Sequence, residues 1–444
     1  MNERSPAAAN SFGKWMALTA AILGWMFDGL EMGLFPLVGR PALRELGRGT
    51  ITDANIGTWF SVIIAVFLLG AAAGGLFFGY LGDRIGRVRA MVLSVLTYTV
   101  FSGLCAFVQT PAQLAVLRFI ASLGMGGEWA LGVALVMELW PSASRPLIAG
   151  MIGAAANVGY LLIGVASLVL ANIVEGLEES MLSIGMSKSW VDYLVGPGRA
   201  GWRLLFLLGA APALLTFLIR IFVPESERWL HASRDAPKPR VREIFAPALA
   251  RKTILGTSLG AIALLGTWGS IQWAPAWANK LTEGLESHAG AAAWTQIASS
   301  MGAVVCTVLA ALLADLLTRR AAYFLLVLGS IAGCAYLFWT PMEYGPRFLA
   351  TVGVVGGLTA SFYGWLPLYL PELFPTRLRA TGQGFAFNSG RVLAAAGALL
   401  GGQLHKSVFA GDYQAMCRVI SLVYLLGLVV IWFCPETKGR PLPE

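Results

Sequence analysis

The chain has 444 residues, 57% of them hydrophobic and 13% charged, with a formal net charge of +8. A soluble domain covers its surface with about a quarter charged residues. Half that proportion over this length excludes an ordinary soluble protein and calls for lipid as the surrounding solvent. The basic residues sit in short clusters between apolar runs, which suits loops facing anionic head groups and not a nucleic-acid-binding face.

Residues 1–14 form a short polar tail leading into an apolar stretch too long for a signal-peptide core. It is the first of twelve stretches of about 20 residues, the length that crosses a bilayer. They fall at 15–38, 56–81, 90–108, 112–138, 147–172, 202–223, 252–275, 291–314, 320–340, 347–370, 381–403 and 417–434. An even count puts both termini on one side. Lys and Arg favour that side by about two to one, which predicts cytoplasmic termini in a cytoplasmic (inner) membrane. The outer segment 173–201 is expected to hold a short amphipathic helix around Leu177–Leu194 on the membrane surface. The segment 224–251, with Pro224, Pro237 and Pro239, reads as a cytoplasmic linker between an N-terminal bundle at 15–223 and a C-terminal bundle at 252–434. Residues 435–444 form a second cytoplasmic tail.

An internal repeat supports that division. Glu138-Leu139-Trp140-Pro141, with Arg145 and Gly150 beyond, returns as Glu372-Leu373-Phe374-Pro375, with Arg379 and Gly384, at an offset of 234. Gly82-Asp83-Arg84-Ile85-Gly86-Arg87 has its counterpart in Asp315 to Arg320 at 232, and Pro224-Glu225-Ser226 returns as Pro435-Glu436-Thr437 at 211. Motifs after the second, fourth and sixth helices of one half recur in order in the other. The fold class is therefore an all-α membrane protein of twelve transmembrane helices in two pseudo-symmetric six-helix bundles, with a cavity between them near the midplane. Glu138 with Arg145, and Glu372 with Arg379, are expected to pair across the inner helix ends. Together with Asp83, Arg84, Arg87 and Asp315, they form the candidate cytoplasmic gate.

The run Gly79 to Arg87 resembles the cytoplasmic signature of the major facilitator superfamily. The Pro-Glu-Ser and Pro-Glu-Thr endings resemble its sugar porters and metabolite:proton symporters. The run from Arg118 to Glu128-Trp129 is similar to the fourth helix of the metabolite and sialate:proton symporters, which carry organic acids; Phe27-Asp28-Gly29-Leu30-Glu31 and Asn388-Ser389-Gly390-Arg391 point the same way. The resemblance covers nearly the whole chain. It implies the major facilitator fold, with helices 1, 4, 7 and 10 lining the cavity.

Ionisable residues inside spans are expensive and are functional candidates by default. Asp28 and Glu31 share one face of the first helix, where two carboxylates do not both ionise cheaply; with Glu128 they are the proton-coupling candidates. Arg391, always charged and fork-shaped, is suited to a carboxylate, and the repeat places neutral Asn157 at its equivalent position. Arg118, Asn388, Gln272, Trp268 and Tyr363 complete the substrate-binding candidates. A permanent Arg391–Asp28 bridge and an Arg118–Glu31 pair are the structural alternatives.

These features predict proton-coupled symport of an organic anion by a secondary transporter acting as a monomer. A sugar or polyol porter is the alternative, distinguished by having no need of Arg391; a drug-efflux antiporter or a receptor fits the motifs less well. No Walker sequence, HExxH or clustered His/Cys site stands in the chain, so no enzyme activity, cofactor or metal is expected. Cys105, Cys306, Cys334, Cys417 and Cys434 lack metal-ligand spacing and read as packed thiols.

Overall fold

The computed structural model describes residues 11–48, 53–196, 201–209, 219, 221–234, 237–285, 288, 290–410 and 412–444. Ten of its helical segments are long and apolar enough to cross a membrane. In the first half these are α1 (Ser11–Leu46), α2 (Asp53–Ile85), α3 (Arg87–Leu104), α4 (Pro111–Leu139) and α5 (Arg145–Leu168). The middle of the sixth expected span, 210–218 and 220, lies outside the described residues. Only its ends are described, α8 (Trp202–Leu208) among them. Between α5 and α8 lie α6 (Leu170–Ser183) and α7 (Lys188–Val195). The single surface helix expected around Leu177–Leu194 is thus two, because a turn at Ile184-Gly185, the glycine at φ 83°, reverses the chain.

After a short α9 (Glu227–Arg234) in the connecting segment, the second half differs from the first in continuity. Its seventh span is α10 (Pro247–Gly269), a tight turn at Ile271–Trp273, then α11 (Ala274–Leu281). The eighth and ninth are α12 (Ala291–Leu316) and α13 (Arg319–Trp339). The tenth comprises α14 (Pro346–Ala360) and α15 (Phe362–Tyr369), joined through Ser361 with helical dihedrals. The eleventh comprises α16 (Arg379–Asn388) and α17 (Gly390–Ser407), joined in the same way through Ser389, and the twelfth comprises α18 (Tyr413–Ser421) and α19 (Tyr424–Phe433). Helix starts are capped where the chain enters from a loop. The Thr110 hydroxyl accepts the Gln113 N–H at 3.2 Å while Gln113 accepts the Thr110 N–H at 3.2 Å, and Thr318 accepts from Ala321 at 3.1 Å.

Burial is inverted in a way only lipid explains. Phe77, Val305, Leu309 and Val429 are each more than half exposed, whereas Asp28, Glu31, Arg118 and Glu128 are buried. The halves meet along two seams: α2 packs on α16 and α17, and α5 packs on α12 and α15. Small residues set the first seam. A Cβ on Gly75 would overlap the Asn388 side chain, and one on Gly384 would overlap the Gly75 carbonyl, so only glycine allows this approach.

Candidate functional site

Asp28 occupies the middle of α1, 1% exposed, and both of its oxygens lack a hydrogen-bond partner. The charges acting on it are those of Glu128, Arg391 and Glu31. Glu128, on α4, is 3% exposed with both oxygens likewise unpartnered. It reaches toward α1 through the gap left by Gly24, where a Cβ would collide with its carboxylate. Arg391, at the start of α17, is 4% exposed. Its guanidinium lies 5.7 Å from the Phe387 ring centroid, and Nη1 has no acceptor. Half-buried Asn157 and Tyr160 on α5 and Tyr363 on α15 lie on the elements of the second seam, and both tyrosines are electrostatic neighbours of Arg391. The helix break at Ser270 falls in the half that supplies Arg391.

The other candidates are placed differently. Arg118 pairs with Glu31, which also accepts from Ser102 Oγ at 3.1 Å. The arginine lies 4.3 Å from the Phe67 ring centroid. With Trp268 it lines a small cavity of about 30 Å³ whose walls are otherwise apolar. Asn388 is fully buried in the first seam, donating to Gly384 O at 3.0 Å and Gly126 O at 3.4 Å. Gln272 sits in the turn between α10 and α11. The composition of the spans hid a cluster around Phe387. Its ring stacks on Trp129 at 3.8 Å and lies 6.2 Å from Trp25 and 6.3 Å from Tyr363. Trp25 stands one turn before Asp28, Trp129 next to Glu128 and Phe387 one turn before Arg391, and that adjacency is the signal that marks them.

At the face where the described ends of the chain lie, the motifs join the halves. The expected Glu138–Arg145 and Glu372–Arg379 pairs do not form. Glu138 instead bridges Arg87 at 3.1 Å and Arg379 of the other half at 2.8 Å, while Glu372 accepts from Arg319 at 2.9 and 3.1 Å. Arg145 turns back to the Met137 carbonyl at 3.0 Å. The carboxylates prefer these partners because the turns after α2 and α12 bring Arg87 and Arg319 to the ends of neighbouring helices. Asp83 binds Arg87 at 2.5 Å and crosses between halves to accept from the Thr381 N–H at 2.7 Å, capping the start of α16. Arg84 and Asp315 are exposed and stand outside this network. The third repeat also has a structural reason. Glu225 accepts the Arg87 and Val88 N–H groups, and Glu436 those of Arg319 and Arg320, so each caps an equivalent helix. Burial pushes the Glu225 carboxyl up from its usual range despite these donors. At Glu436 burial acts the same way, but the N–H groups of Lys438, Arg320 and Arg319 outweigh it and hold the carboxyl down.

A polar centre between two pseudo-symmetric helical halves, with lipid-facing walls and charge networks at one end, defines a multi-pass membrane transporter. The profile of the Major Facilitator Superfamily matches residues 7–398, and the chain belongs to that superfamily. It is 30% identical over 424 residues to a Cupriavidus pinatubonensis protein named "Probable 4-methylmuconolactone transporter", covering 95% of this chain and 90% of that one. The cis,cis-muconate transport protein of Acinetobacter baylyi is 28% identical, with 89% and 88% covered. Among solved structures, the proton:xylose symporter XylE superposes with a TM-score of 0.74 at 19% identity, with 98% of each chain covered, a likeness of fold. The chain is a transporter of this superfamily and not an enzyme.

Proposed function

We propose that this transporter carries an organic anion, a carboxylate, together with protons by alternating access. Arg391 is the observation that carries the reading. A guanidinium stays charged even when buried, and this one has an unpartnered Nη1 and the unpartnered Asp28 carboxylate as its electrostatic neighbour. A neutral sugar has no use for that charge. A carboxylate entering the midplane loses hydration that only fixed donors replace, and the fork supplies two charge-assisted hydrogen bonds. Several relatives are named for organic acids: cis,cis-muconate, niacin and gentisate. They support this substrate class.

In this reading Asp28 carries the coupled proton, with Glu128 beside it. Glu31 is neutralised by Arg118, so that pair holds the wall of the outer vestibule. Tyr363 and Asn157 face the substrate across the second seam; Asn388 positions the turn before Arg391. Asp83, Arg87, Glu138 and Arg379, with Arg319 and Glu372, close the cytoplasmic side. The bundles at 15–223 and 252–434 rock about the site, joined by 224–251, with both termini in the cytoplasm and a single chain as the working unit.

Calorimetry on detergent-purified protein tests the reading with acids and matched neutral analogues. Arg391→Lys is expected to weaken acid binding by about tenfold or more, and Arg391→Ala to remove it. Unchanged acid affinity in Arg391→Ala contradicts the organic-anion assignment.

A further inference from the structure

We propose that the indole N–H groups of Trp25 and Trp129 form a second polar subsite, which binds an acceptor atom at the far end of a planar carboxylate held by Arg391. The inference rests on the organic-anion reading above and narrows its substrate class. Trp25 and Trp129 are 5% and 2% exposed, and neither Nε1–H has an acceptor. Of the other tryptophans, Trp140 at a helix end also has a buried Nε1–H without an acceptor, but the deeply buried Trp202 and Trp365 do not. Trp202 donates to Glu45 at 2.9 Å, and Trp365 to the Arg319 carbonyl at 3.0 Å. A buried donor left unmade costs the full desolvation of the group, and two such donors side by side point to a ligand.

The geometry identifies the kind of ligand. The two indole centroids are 6.1 Å apart and both rings contact Phe387, which is also the ring under the Arg391 guanidinium. A cation that grips a carboxylate and two neutral donors therefore stand around one aromatic ring, with Trp129 stacked on Phe387 at 17° and Trp25 tilted from the two by 39° and 54°. Aromatic walls of this kind favour a planar, conjugated body. The neutral donors select a ring nitrogen, carbonyl, hydroxyl or second carboxylate oxygen at the distal end. The Asp28 and Glu128 carboxyls nearby donate only when protonated and accept in either state, whereas an indole N–H always donates, so the indoles are the fixed donors of this wall.

The test compares near-isosteric pairs of equal charge that differ in the distal acceptor: nicotinate against benzoate, and 4-hydroxybenzoate against 4-methylbenzoate. Affinities are measured by calorimetry on wild type, Trp25→Phe and Trp129→Phe, variants that keep a ring and lose the donor, with melting temperature reporting that each remains folded. The wild type is expected to favour the acceptor-bearing acid by about tenfold or more. In at least one variant that ratio should fall to near one. A wild type that binds no acid of the four, equal affinities in the wild type, or a preference that survives in both variants overturns the inference. Arg391→Ala, measured alongside, separates the two levels. If it leaves acid binding intact, the organic-anion reading itself fails. If it removes acid binding while the tryptophan variants keep the preference, only the indole subsite fails.

Discussion

A carboxylate in the middle of a bilayer is costly in its charged form, and Asp28 and Glu128 both stand there without a hydrogen-bond partner. Asp28→Asn fixes the neutral form. Uptake against a gradient should then be lost while counterflow exchange persists, measured in vesicles with and without internal unlabelled substrate. If accumulation is undiminished in Asp28→Asn, the proton travels elsewhere, with Glu128 next to be tested. These residues were legible in the sequence because an ionisable side chain stands out in an apolar run. The Arg118–Glu31 pair was legible only as one of two possibilities, since spacing along separate helices does not say which faces meet. Trp25, Trp129 and Phe387 were not legible, because aromatic residues are ordinary in membrane spans and their meeting is set by the crossing of three helices.

Helix 7 is interrupted at Ser270, where φ −123° and ψ −85° leave the helical region, whereas the backbone at Ser361 and Ser389 of helices 10 and 11 stays helical. Gly269 and Pro275 flank the turn at Ser270, but glycine and proline are ordinary in membrane spans, so the sequence reads through it. The repeat was legible for the opposite reason: three motifs recur at fixed offsets, and each proves to cap or pair at equivalent helix ends. What the repeat could not say is that Glu138 reaches across to Arg379, because pairing within a half and between halves look alike on a linear chain. Glu138→Ala leaves buried Arg87 and Arg379 without their shared partner. Removing one member of such a network costs about 3–5 kcal/mol, so a clearly lowered melting temperature is expected. The Glu243–Arg377 pair, about a quarter exposed and so partly open to solvent, gives the contrast: Glu243→Ala should change stability little. Glu436 adds a pH dependence. Its carboxyl is held below the usual range in the folded protein, so its contribution is present above the unfolded pKa and lost as pH falls through the folded value. The gap in melting temperature between wild type and Glu436→Ala should therefore narrow on acidification; a gap that widens contradicts the capping role.

Over the whole molecule, the ends of the helices beside the termini are tied by Asp83, Glu138 and Arg379. The opposite face keeps an apolar cavity beside Arg118 and Trp268. The pseudo-symmetry makes alternation economical, because the two seams repeat the same kind of packing on either side of one central site. Its departure from symmetry is chemical: Arg391 in one half stands where the other has Asn157. In the proposed reading, that single charge turns a common transport fold toward anions. Uptake into proteoliposomes with an imposed inward proton gradient tests this most directly, using radiolabelled carboxylates beside neutral sugars and polyols. At least one acid should accumulate, lose its accumulation when a protonophore collapses the gradient, and fail to enter vesicles carrying Arg391→Ala. Accumulation of a sugar with no uptake or competition by any acid, or acid uptake at wild-type affinity in Arg391→Ala, would contradict it.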